Sequence, residues 1–220
     1  MMTNLFSSFD PNSTYFMLSN WLSTFCLFFL MPSSFWLMKG RTAVAFFQPV
    51  SILFNEFKSL ISNSKHTIMF SALFFIFLFN NFLGLFPYIF TSSSHLVMNL
   101  SVAAPMWMSF MLYGWITQMN HMLAHLVPQS TPGPLMPFMV LIETTSNLIR
   151  PGTLAVRLTA NMIAGHLLMT LLGNQTASSS TAVLIILLIV QVLLITLEGA
   201  VAIIQAYVFS ILTTLYSSEV

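Results

Sequence analysis

The chain has 220 residues, 57% of them hydrophobic and 5% charged, with a formal net charge of +1. Soluble proteins carry roughly 25% charged residues, and six Lys/Arg with five Asp/Glu cannot cover a water-facing surface. These figures exclude a soluble domain and, for want of a basic patch, a nucleic-acid partner.

The chain reads as an all-α polytopic membrane protein, a single membrane domain over residues 1–220 with about five membrane helices plus one interfacial helix. Its opening, MMTNLFSSFDP, has neither the basic start of a signal peptide nor the Arg-rich pattern of a transit peptide. Either the first span is its own insertion signal, or the protein is made where it resides. That span is expected over residues 15–38, interrupted at Pro32. It contains the single cysteine, Cys26, which suits apolar packing.

Residues 41–64 differ in kind. Phe46, Phe47, Val50, Leu53, Phe54, Phe57, Leu60 and Ile61 recur at three-to-four spacing, and Arg41, Gln48, Ser51, Asn55, Lys58 and Ser62 mark the other face. This pattern predicts an amphipathic helix lying in the interface, with Pro49 as a kink. The second span is expected over residues 68–90, ended by Pro87 and a polar TSSSH run, and the third over residues 96–119, with Pro105 inside it. VPQSTPGPLMP, residues 127–137, is a turn-rich connector. Lys39, Arg41, Lys58 and Lys65 all fall between the first two spans. That side is therefore cytoplasm-like or matrix-like, with the N-terminus opposite.

The last two helices, expected over residues 138–172 and 181–217, have no strong break apart from Pro151-Gly152. At 1.5 Å per residue they are about 52–55 Å long. Crossing a ~30 Å hydrocarbon core would need a tilt of roughly 55°. They are expected to form a long, steeply tilted antiparallel hairpin joined by GNQTASSS, residues 173–180.

Ionisable residues inside a span cost about 2.5–3.5 kcal/mol each, which makes each a functional candidate. Glu143, Arg150 and Arg157 are seven apart and share a stripe that Asn161 joins, while His166 points elsewhere. Gln191, Glu198 and Gln205 form a second seven-residue stripe on the partner helix. Folding the hairpin near Thr176–Ala177 sets Glu198 level with about Ala155, close to Arg157, and Gln205 level with about Leu148. Arginine cannot relay protons, but it keeps a nearby carboxylate ionised; Glu and His can relay them. The band suits a device that deprotonates something passing it, or else an Arg157–Glu198 salt bridge that only fixes the hairpin.

His121 and His125 have the spacing of a metal pair without a third ligand, and read better as interfacial. Asn80 and Asn81 read as interhelical hydrogen bonders. His66, His95, Asp10, Glu56 and Glu219 read as solvated or interfacial. There is no phosphate-cradling loop and no nucleophile–base or metal constellation, so no cofactor, no metal, no direct nucleotide binding and no catalytic residue is expected.

One stretch carries a resemblance. LIETTSNLIRPGTLAVRLTANMIAGHLL, residues 141–168, is similar to the signature of the subunit a family of mitochondrial F-type ATP synthases. MNLSVAAPMW (98–107), HLVPQSTPGPLMP (125–137), LEGAVAIIQAYVFSILTTLY (197–216) and the opening residues also resemble it. The resemblance implies a non-catalytic proton-translocating stator in the mitochondrial inner membrane, N-terminus on the intermembrane side and C-terminus in the matrix. It implies the c-subunit ring, the peripheral stalk and other membrane-sector subunits as partners. Arg157 corresponds to the arginine of the RLTAN motif, which keeps the ring carboxylate ionised between two half-channels; spacing alone does not choose it over Arg150. His166, Glu198, Asn161 and Gln205 resemble the intermembrane-side group, and Glu143 the matrix-side one. Arg150 and Gln191 are secondary candidates. The competing readings are an autonomous ion-coupled secondary transporter, which would be expected to show internal symmetry, and a structural subunit of another complex.

Overall fold

In the computed structural model, residues 5–11, 20–25, 38, 40–61, 66–86, 89–127 and 132–219 are described. Most of the expected first span lies outside these residues, as do Cys26, Pro32, Lys39, Lys65 and residues 128–131 of the connector. Within them the protein is helical, with no strand.

Six α-helices follow in order: α1 (Arg41–Leu60), α2 (Thr67–Gly84), α3 (Leu96–Thr117), α4 (Met119–His125), α5 (Met136–Ser178) and α6 (Thr181–Glu219). Short 3-10 turns stand at Leu5–Phe9, Asn20–Phe25, Ser92–Ser94 and Gly133–Leu135. Among the described residues, four stretches are long and apolar enough to cross a membrane: α2, α3, and the regions of α5 and α6. The chain is an all-α polytopic membrane protein.

The sequence explains the packing. Ala155, Ala202 and Ala206 are almost wholly buried, and small side chains let helix backbones approach where lipid offers no hydrophobic drive. α5 and α6 form an antiparallel hairpin; α2 packs along α6 and α3 along α5. Phe74, Phe75, Phe77, Leu154, Leu158 and Phe209 fill the space between them, with the Phe77 and Phe209 rings 4.4 Å apart. α1 is amphipathic in three dimensions as in sequence. Phe46, Val50 and Leu53 lean on this core, and Phe57 and Ile61 join Phe70 in a second cluster. The helix runs through Pro49 without ending.

Two local expectations need correction. The GNQTASSS run is not a loop: α5 continues through Ser178, leaving Ser179–Ser180 as the turn. Thr176 Oγ1 donates to the Gly173 carbonyl at 2.7 Å and Ser179 Oγ to the Thr176 carbonyl at 3.2 Å, so polarity here does not force an exit. The Thr91–Ser94 run that follows the second span is buried. It packs against α5, α2 and α3, with Asn99 Nδ2 donating to the Ser93 carbonyl at 2.8 Å. His95 is likewise no solvated group: its ring lies 5.4 Å from Trp21 and 5.2 Å from Phe90, with Nε2 buried.

Candidate functional site

The polar residues of the hairpin fall into three places along its length. The first is where the Glu198 side chain of α6 packs on Gly165 of α5. Gly165 leaves room for the Glu198 side chain: a Cβ there would stand 2.6 Å from Glu198 Cδ and closer still to Oε1. Glu198 is buried, and its Oε1 lies 3.9 Å from His166 Nε2. His166 Nε2 and both Glu198 oxygens have no hydrogen-bond partner among the described residues. The edge of Phe9 closes on the imidazole, ring centroids 6.1 Å apart. About one turn along, Asn81 of α2, fully buried, donates from Nδ2 to the Ala202 carbonyl at 3.5 Å. Asn81 is thus the interhelical hydrogen bonder its apolar surroundings suggest.

This pairing corrects the register expected from the sequence. Glu198 lies level with Gly165 and His166, not with Ala155, an offset of ten residues or about 15 Å. His166 does face a partner, and that partner is Glu198. Gly165 was not singled out in the sequence; a glycine beside the one histidine of this helix was the signal available.

The second place is Arg157, eight residues from Gly165, or about 12 Å along α5. The Arg157–Glu198 salt bridge is not formed. Arg157 is exposed on the outer face of the hairpin, beside Val156 and near the level of the exposed Ile203 and Ile204. Asn161 and Gln205 are half-buried. In the register that pairs Gly165 with Glu198, Gln205 falls level with about Leu158, so Gln205 rather than Glu198 shares the depth of Arg157. Gln191 is half-buried and lies towards the hairpin turn, apart from the other candidates.

The third place is a cavity of about 280 Å³ between α3, α4, α5 and the end of α6. Arg150 Nη2 and Glu143 Oε1, two turns apart on α5, form an ion pair in its wall at 3.5 Å, and the guanidinium lies 5.2 Å from the centroid of the Tyr216 ring. Trp107, His125 and Asn147 also line it, with Trp107 Nε1 and Asn147 Oδ1 buried and unpartnered among the described residues. The single stripe expected from Glu143 to Arg157 therefore divides: Glu143 and Arg150 turn into the cavity, and Arg157 faces out. Trp107 lies in an apolar run with no charge to mark it, while Asn147 and Tyr216 stand among Thr and Ser residues from which the sequence alone does not set them apart. His121 and His125 stand with ring centroids 4.7 Å apart. Among the described residues no three His, Cys, Asp or Glu gather closely enough to hold a metal ion.

The family model described as ATP synthase A chain matches residues 15–218. Proteins named ATP synthase subunit a align along their whole length with the whole of this chain. That of Locusta migratoria is 61% identical over 224 residues, that of Anopheles gambiae 62% over 225 and that of Drosophila melanogaster 59% over 223.

Proposed function

The chain belongs to the ATP synthase A chain family, and from that premise we propose that it is the stationary proton-conducting subunit of the membrane sector of ATP synthase. It lies in the mitochondrial inner membrane as a multi-pass subunit, non-catalytic in itself. The N-terminus faces the intermembrane space and the C-terminus the matrix, because the basic residues between the first two spans belong on the matrix side. Its partners are the c-subunit ring, the peripheral stalk and the other membrane-sector subunits.

The observation that carries this reading is the exposure of Arg157 on an apolar outer face, while Glu143, Arg150 and His166 are half-buried and Glu198 is buried. A guanidinium facing hydrocarbon costs a few kcal/mol, which an anionic partner from another chain offsets. A carboxylate on a passing ring is such a partner. Helices of 43 and 39 residues, about 64 and 58 Å long, would carry apolar ends into water if upright. They incline steeply instead, and so run alongside the ring.

The three places then act in series. A proton from the intermembrane side reaches the His166–Glu198 pair and passes to a ring carboxylate, which becomes neutral and turns through lipid. After nearly a full turn the carboxylic acid meets the cavity holding Glu143, gives its proton there, and is held ionised by Arg157. Glu143 and Gly165 are 22 residues apart on α5, about 33 Å along the helix axis, so even a steeply inclined helix sets the two groups at different depths. Asn161 and Gln205 flank the arginine and orient water or the ring carboxylate.

The test is Arg157→Lys in the assembled complex. Lysine keeps the charge but loses the planar five-donor fork, so coupled ATP synthesis should collapse while the complex still assembles. Near-normal coupled synthesis would overturn the role given to Arg157.

A further inference from the structure

We propose that His125 is the outer proton relay of the Glu143 cavity, an inference that rests on reading that cavity as the proton exit. The cavity gathers polar groups within a largely apolar lining. Glu143 and Arg150 meet in it, and the buried Trp107 Nε1 and Asn147 Oδ1 are without partners among the described residues. Its volume of about 280 Å³ has room for several waters at ~30 Å³ each.

A proton released at Glu143 must still reach bulk water. The titratable and charged groups facing this space are Glu143 and Arg150 from α5, Tyr216 from α6 and His125 from α4. Arg150 does not deprotonate. The Tyr216 phenol gives up its proton only far above neutral pH, and its ring lies against the guanidinium. His125 both lines the cavity and is exposed. Imidazole is the side chain that exchanges a proton near neutral pH with least perturbation. The Glu143 carboxyl gives its proton through water to the unprotonated ring nitrogen of His125. The resulting imidazolium loses a proton to the matrix, with the exposed His121, on the same face of α4, as a second acceptor.

The experiment uses the complete ATP synthase in vesicles, carrying His125→Gln, with ATP synthesis driven by an imposed proton gradient. Turnover should fall several-fold with the KM for ADP unchanged, and imidazole added on the outlet side should restore it in proportion to its concentration. Unchanged turnover in a fully assembled complex would overturn the proposal, and so would a loss that imidazole does not restore, since a packing role cannot be supplied by a buffer. Glu143→Gln separates the two levels. If it leaves turnover unchanged, the cavity is not the exit; if it slows turnover while His125→Gln does not, only the relay assignment fails.

Discussion

Replacing Gly165 with alanine tests the packing that brings Glu198 to His166. The added methyl would stand 2.6 Å from Glu198 Cδ and 3.2 Å from Cγ, whereas carbon atoms rest comfortably at about 3.5–4.0 Å. The carboxyl must therefore retreat by about 1 Å, against an original separation from His166 Nε2 of 3.9 Å. Overpacking of this kind costs about 1–3 kcal/mol. If half of that cost, about 0.5–1.5 kcal/mol, is felt in the proton-transfer step, flux falls about two- to twelvefold, since about 1.4 kcal/mol corresponds to a factor of ten. The assay is passive proton conduction through the membrane sector in vesicles after removal of the catalytic head, with the amount of assembled sector measured in parallel. Glu198→Asp in the same background withdraws the carboxyl from the added methyl and should restore part of the conduction. Wild-type conduction in a fully assembled Gly165→Ala sector would refute the idea that this glycine sets the geometry of the pair.

Glu198→Gln removes the titratable group but keeps its shape, so ATP synthesis under an imposed gradient should fall severely; unchanged flux would take Glu198 off the path. Phe77→Ala empties a buried position whose ring packs at a tilt against Phe209, centroids 4.4 Å apart, and should cost about 3–5 kcal/mol, read as a lower melting temperature of the assembled sector. Asn81→Leu abolishes the link to the Ala202 carbonyl and should cost about 1–3 kcal/mol on the same melt, with wild-type stability arguing that the link is not a tie between α2 and α6.

The elements that could be read directly from the sequence are those whose periodicity is set by an environment uniform along the helix. α1 alternates apolar and polar faces because one side packs on the bundle, so Phe46, Val50, Leu53, Phe57 and Ile61 announce that side by spacing alone. The long helices announce themselves by apolar length. The Thr91–Ser94 turn could not be read this way. Four small hydroxyl residues between spans look like a solvated loop, yet here they are the part small enough to pack against α5 where α2 ends.

The site was harder because it depends on register, and register magnifies small errors. The turn lies at Ser179–Ser180 rather than at Thr176–Ala177, three residues later. In an antiparallel hairpin a shift of the turn moves each facing residue by twice as much, so Glu198 travels about six residues, or about 9 Å, away from the Arg157 level. The rest of the displacement comes from how the helices seat on each other: Gly165 is where α5 can accept a carboxylate, and Glu198 settles there. The consequence is chemical. A sequence reading that keeps Arg157 and Glu198 together permits a closed salt bridge with no further work to do. The separation of about 12 Å leaves Glu198 with a titratable neighbour and the arginine facing outwards, and a cation facing outwards from a membrane helix calls for an anion on another chain.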